Sequence, residues 1–145
     1  MASQDEGLGF LLADVSRLMR QAFQRRLEGS ALTLTLAQAR ALIYVSRHEG
    51  LRQVELADML EIQPITLARL IDHLAEQGLV ERRPDPSDRR AYRLHLTPDA
   101  GPRLAAIREV TAGIRAEALR GLSPEEAALL ASALRRMHDN LAPPQ

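Results

Sequence analysis

The stretch that decides the fold is residues 62–97, IQPITLARLIDHLAEQGLVERRPDPSDRRAYRLHLT. Leu67, Leu70, Ile71 and Leu74 recur at helical spacing and form one apolar stripe, while Thr66, Arg69, Asp72 and His73 project elsewhere. One face packs and another is left to read a partner. Pro64 suits a first helical turn, where its missing N–H is no loss, and Gly78 stands where a left-handed residue closes a helix. Beyond Gly78 the period changes to two: Leu79 and Glu81 alternate with Val80 and Arg82, and Tyr92, Leu94 and Leu96 alternate with Arg93 and His95. Two strands of a hairpin are therefore predicted. Between them Pro84 to Ala91, PDPSDRRA, combines two prolines with turn-forming Asp and Ser, which predicts a loop that protrudes instead of continuing the ladder. From Arg82 to Arg93 five arginines stand against two aspartates, a local balance of +3 that phosphates would favour. Helix, hairpin and cationic tip together predict a wing that grips DNA.

The charge is local. The whole chain carries 19 basic and 19 acidic residues, a net charge of zero, whereas a nucleic-acid binder is expected to run basic. Every basic residue is Arg, which suits bidentate contacts to phosphate or guanine, although a genomic bias towards Arg, Ala, Leu and Pro accounts for the same skew. Between Glu61 and Gly78 three acids, Glu61, Asp72 and Glu76, face one arginine, Arg69. Affinity must then come from the wing and from helix ends.

At 145 residues and 46% hydrophobic content the chain suits one globular core. It has no apolar run of membrane-spanning length, and its N-terminus, MASQDEGLGF, starts acidic, so the expected location is the cytoplasm. With no cysteine there is no disulfide frame, no Cys-based zinc site and no thiol switch. His48, His73, His95 and His138 are scattered without ligand spacing and read as solvated or capping residues. No nucleophile motif, glycine-rich phosphate loop or H-E-x-x-H occurs, so neither catalysis nor a cofactor is expected.

The rest reads as helices. Phe10 or Leu11, Val15, Leu18, Met19, Ala22, Phe23 and Leu27 mark a first amphipathic helix over about residues 7–28, closed by Gly29. Thr35 with Gln38 forms a capping box for a second helix ending near Arg47, and a short helix over Gln53–Leu60 precedes the reading helix at helix-turn-helix spacing. Thr97-Pro98 supplies a cap and a first-turn proline for a helix over about 98–120, and Ser123-Pro124-Glu125-Glu126 opens a last one, with Ala142–Gln145 fraying. The predicted class is mainly α (α+β), a winged helix-turn-helix over 35–97 flanked by dimerisation helices over 1–34 and 98–145. The flanking helices carry apolar stripes that a monomer would leave wet, so a homodimer is expected, placing two reading helices on half-sites about 34 Å apart. The alternative is an intramolecular bundle covering the core.

Asp88-x-Arg90, five residues and Leu96-Thr97, preceded by Gly78-Leu79-Val80 and Arg82, resembles the wing signature of the MarR (multiple antibiotic resistance regulator) family. The stretches IQPITLARLIDHLAEQGLVERR, SDRRAYRLHLT and RAEALRGLSPEE are similar to its SlyA-type branch, and the resemblance runs from the first helix to Leu141. It implies a homodimeric winged-helix repressor or activator bound to double-stranded DNA, with the first, fifth and sixth helices forming the dimerisation lobe. By the same resemblance Thr66 and Arg69 contact base edges or flanking phosphates in the major groove, and Gln63 and Pro64 offer phosphate a helix N-terminus. Arg90 enters the minor groove with Arg89 beside it, and Asp88 orients the loop by an ion pair. Asp72 reads as a structural partner for an arginine. The resemblance also implies an effector cleft between the lobes, occupied in relatives by small aromatic carboxylates, for which Arg17, Tyr44 and His48 are the candidates. Against that, Arg17 facing water or a dimer partner and Tyr44 filling core is the plainer reading. Two other functions fit the same elements: a winged-helix adaptor contacting protein, and a small-molecule-binding helical protein with a vestigial DNA module. The arginine wing and a steep salt dependence of duplex binding separate DNA recognition from the adaptor, and retained duplex binding by Arg69→Ala/Arg90→Ala variants would favour a different reading surface.

Overall fold

The computed structural model describes residues 7–144; the acidic start and Gln145 of the tail lie outside the described residues. In chain order the elements are α1 (Leu8–Glu28), α2 (Leu36–Arg47), α3 (Gln53–Met59), α4 (Pro64–Glu76), β1 (Val80–Asp85), β2 (Asp88–Leu96), α5 (Ala100–Ala118) and α6 (Pro124–Leu141). The chain is mostly helical with one small antiparallel hairpin, as its periodicities predict. No described helix is long and apolar enough to cross a membrane.

Local chemistry sets most boundaries. At α2 the Gln38 N–H donates to Thr35 Oγ1 at 3.2 Å and the Thr35 N–H donates to Gln38 Oε1 at 3.0 Å, the reciprocal capping box read from the sequence. Ser123 and Glu126 repeat it at α6, with distances of 3.1 and 3.0 Å. α4 ends where Gly78 takes φ +73° and the Leu79 N–H donates back to the Leu74 carbonyl at 2.9 Å. The start of α5 departs from expectation. Thr97 does not cap it: its hydroxyl donates to the Gly78 carbonyl at the end of α4, and Thr97-Pro98-Asp99 forms a turn before Ala100. A hydroxyl already committed to one helix end cannot cap the next.

The core gathers where α2, α3, α4 and the hairpin meet. Leu42 and Val45 of α2, Leu56 of α3, Leu67, Ile71 and Leu74 of α4 and Leu94 of β2 are fully enclosed, and Ile107 of α5 joins them. The predicted stripe on α4 is thus the packed face, with Leu70 partly buried at its edge. β2 also carries a short extended segment on its other side, where the Gly50 N–H donates to the Leu94 carbonyl at 2.8 Å and the Leu94 N–H to the Leu51 carbonyl at 3.0 Å. That leaves β1 as the outer edge, and its Pro84, which has no N–H to donate, sits where a missing donor is harmless.

The flanking helices behave differently. α1 packs against α5 only through its C-terminal part, where Ala22, Phe23 and Leu27 are buried and Arg26 pairs with Glu117 at 3.0 Å; Gly7 to Gln21 are all exposed. α6 buries none of its residues. The chain therefore does not fold its last helix back over the core, contrary to the bundle alternative.

Candidate nucleic-acid interface

The reading face of α4 is set by what its other faces are tied to. Arg82, counted by charge among the wing cations, is in fact a strut: its Nε donates to Gln53 Oε1 at 2.9 Å, its Nη2 donates to the Ala68 carbonyl at 3.0 Å and its Nη1 pairs with Asp72 at 2.7 Å. α3, α4 and β1 are locked in rotation by this one guanidinium, and Asp72 is the structural partner expected of it. Gln63, Pro64, Thr66 and Arg69 are all exposed on the remaining side, and Arg69 has no ion pair among the described residues. Pro64 occupies the first helical position after Gln63. The N–H groups of Ile65 and Thr66 precede the first intrahelical bond, from the Leu67 N–H to the Gln63 carbonyl, and point outward with the positive end of the helix dipole.

The wing is more ordered than a protruding loop. The ladder runs Val80↔Leu96, Arg82↔Leu94 and Pro84↔Tyr92 and closes at Asp85↔Asp88, so only Pro86 and Ser87 form the tip. Between the last two pairs β1 advances from Pro84 to Asp85 while β2 covers Asp88 to Tyr92, which leaves Arg89, Arg90 and Ala91 without partners on β1. This bulge, not an open loop, projects the arginines. The sequence pattern missed it because Pro84 and Asp85 look like turn residues, yet an edge strand tolerates both. Arg83 pairs with Glu81 at 2.6 Å and Arg93 turns inward, so Arg89 and Arg90 are the wing's exposed cations without an ion pair among the described residues. Asp88 does not pair with the Arg90 guanidinium; its Oδ1 accepts from the Arg90 backbone N–H at 2.9 Å, an Asx turn that fixes the bulge.

The carboxylate that anchors the wing is one the sequence did not single out. Asp85 is 4% exposed, the buried acidic residue among the described ones. It accepts from Ser87 Oγ at 2.7 Å, the Ser87 N–H at 2.8 Å, Arg52 Nε at 2.8 Å and Arg93 Nε at 3.1 Å. The Ser87 hydroxyl and N–H, followed by the Arg52 guanidinium, hold its carboxyl well below the usual carboxylate range, and Arg52 is correspondingly raised. Arg93 also donates through Nη1 to the Gly50 carbonyl at 3.0 Å, tying the tip to the short segment beside β2. In sequence Asp85 is indistinguishable from a solvated turn residue, because its partner Arg52 lies 33 positions away.

Helix end and wing converge. Pro64, Asp88 and Arg90 line one open cleft of about 310 Å³ together with Arg52, Val54 and Tyr92. Thr66 and Arg69 lie beyond it on the outer face of α4. The chain thus presents a helix N-terminus, an exposed helix face and two bulged arginines side by side, an arrangement fitted to a polyanion with readable edges.

The sequence profile of the MarR family matches residues 32–91. A solved MarR structure is 31% identical over 92% of this chain and 96% of its own, with a TM-score of 0.74. The chain belongs to the MarR family. Wild-type MarR from E. coli in its apo form is 26% identical over 90% of this chain and 95% of its own, with a TM-score of 0.75. The transcriptional regulator SlyA is 28% identical over 90% of both chains, with a TM-score of 0.70. The MarR fold accounts for the winged helix-turn-helix and marks the chain as a DNA-binding transcriptional regulator.

Arg17, Tyr44 and His48 do not together line either of the two cavities beside α5. Arg17 is exposed on α1 and donates to Asp14 through Nε at 3.0 Å and Nη2 at 2.8 Å. Tyr44 on α2 and His48 at its C-terminal cap stand one turn apart, with ring centroids 6.1 Å apart. A cavity of about 230 Å³ between α2 and α5 is lined by Ile43, Arg47, Ile107, Arg108 and others, and a second of about 400 Å³ between α1 and α5 by Val15, Met19 and Arg25 among others; neither lining includes the three.

Proposed function

We propose that this chain is a homodimeric, ligand-responsive repressor of the SlyA-type branch that reads a pseudo-palindromic operator. α4 lies in the major groove, where Arg69 forks onto guanine O6 and N7 and Thr66 supports it, while Gln63 and Pro64 present their helix end to a phosphate. Arg89 and Arg90 enter the adjacent minor groove, held there by the Asp88 turn. The observation that carries the reading is the pair of bulged arginines, Arg89 and Arg90, without an ion pair among the described residues, on a wing held by the buried Asp85 carboxylate, with Arg90 sharing a cleft with the start of α4.

Residues 35–97 act as the DNA-binding unit, and 1–34 with 98–145 as the dimerisation lobe. The support is the apolar surface left uncovered: Leu8, Phe10, Leu11, Val15 and Leu18 on α1, and Leu129, Leu130 and Leu134 on α6. A two-fold axis through these helices sets two copies of α4 about 34 Å apart, one duplex turn. Selection of bound sequences from random duplex DNA tests both parts together. A two-fold symmetric motif with half-sites one turn apart is expected; an asymmetric motif, or none, contradicts the reading.

For the effector, a small aromatic carboxylate is held by Arg17 with Tyr44 and His48. Arg17 must then exchange Asp14 for the ligand carboxylate, and the ligand relieves repression to the extent that it prefers a dimer with mismatched reading helices. Salicylate-like acids should raise the melting temperature and weaken operator binding, and Arg17→Ala should remove both effects. Absence of any shift with the unaltered protein eliminates this part.

A further inference from the structure

We infer that Ile65 reads thymine: in each half-site its side chain meets the C5 methyl of a thymine one or two base pairs from the guanine contacted by Arg69. The inference rests on the DNA-binding reading above and adds a base contact to it. Every other large apolar residue of α4 lies on or at the edge of the packed stripe, with Leu67, Ile71 and Leu74 fully enclosed and Leu70 partly buried. Ile65 is 64% exposed. It stands four residues before Arg69, so the two share one outer face with Ile65 a turn nearer the helix N-terminus, and Thr66 flanks them. The rotation of that face is fixed, because Arg82 grips α4 at the Ala68 carbonyl and at Asp72.

A branched hydrocarbon held out in water beside a guanine-reading arginine has one matching group in the major groove. Thymine alone among the four bases displays a methyl there. One helical turn advances about 5.4 Å and one base step about 3.4 Å, which sets the offset from the guanine at one or two base pairs. Asp72 and Glu76, further along α4, offer no comparable apolar contact, so the methyl readout belongs to the helix's first turn.

The test uses the full chain and its selected operator, with each half-site thymine replaced singly and symmetrically by deoxyuridine, which deletes the methyl and keeps the pairing. At one thymine position the wild-type protein should bind the uracil duplex about fourfold more weakly, the worth of one buried methyl. Ile65→Ala should bind the thymine operator more weakly and show no thymine-to-uracil ratio at that position; Ile65→Val should retain part of it. The substitution on DNA needs no protein variant, so misfolding does not confound it. Tight operator binding that ignores every methyl, or an Ile65→Ala ratio equal to that of the wild type, overturns the inference while leaving DNA binding intact. Failure to bind any duplex overturns the parent reading and this inference with it.

Discussion

Residues that look alike in sequence divide into two functional kinds once their partners are known. Of the five arginines between Arg82 and Arg93, Arg82 and Arg93 are structural, Arg83 is satisfied by Glu81, and Arg89 and Arg90 face outward. Arg90→Ala should therefore weaken binding to all duplexes alike and reduce the salt slope by about 1, whereas Arg69→Ala should cost about 1–3 kcal/mol at one guanine and relax specificity there. Fluorescence anisotropy on operator and scrambled duplexes separates the two. Asp85 acts through others: Asp85→Asn should loosen the wing and lower operator affinity with little change in the far-ultraviolet spectrum, and an affinity equal to that of the wild type would contradict its anchoring role. Because the folded Asp85 carboxyl titrates below its ordinary value of 3.8, its contribution is complete above that value and is lost only as pH falls further, towards the folded value. Wing attachment should accordingly be constant from pH 5 to 8, and an operator affinity that drops between pH 6 and 5 through Asp85 would have the right direction but lie above the pH window its lowered carboxyl allows, contradicting the assignment.

At the scale of elements, helix ends were legible because the chemistry that makes them is local. Thr35 with Gln38 and Ser123 with Glu126 form the capping boxes their spacing announces, and Gly78 closes α4 as its position suggests. The hairpin was legible as two strands but not in its length. Pro84 and Asp85 belong to the ladder because β1 is an edge and because Asp85 has distant partners, and neither fact is local. The three residues Gly50–Arg52 that add to β2 are too few for any period to register. Thr97 carried a cap signal that another helix end claimed. For the candidate site, the exposed arginines proposed as readers, Arg69 and Arg90, could be named from motif position, while the buried anchor Asp85, its partner Arg52 and the exposed Ile65 could not. The burial contrast between helices predicts opposite responses: Leu67→Ala, in the enclosed stripe, should cost about 2–5 kcal/mol of stability, whereas Leu134→Ala, 39% exposed on α6, should leave the folded lobe intact and shift self-association to higher concentration. Denaturant titration at two protein concentrations distinguishes them.

For the molecule as a whole, neutrality is an arrangement of opposites. Acidic residues along α4 and elsewhere balance an arginine wing, so attraction to DNA is confined to the wing and the start of the reading helix, and the net charge of zero conceals it. α1 and α6 carry exposed apolar faces, and the proposed pairing of two chains through them would double the number of phosphate contacts. Duplex binding should thus be steep in salt and second-order in protein at low concentration. The most direct measurement is operator affinity across 50 to 300 mM salt for the wild-type chain and for Arg89→Ala/Arg90→Ala, with the bound stoichiometry read by sedimentation. Two chains per duplex are expected, with affinity falling linearly in log salt and a clearly shallower slope for the double variant. Binding by a single chain, or equal slopes for the two proteins, would contradict the account.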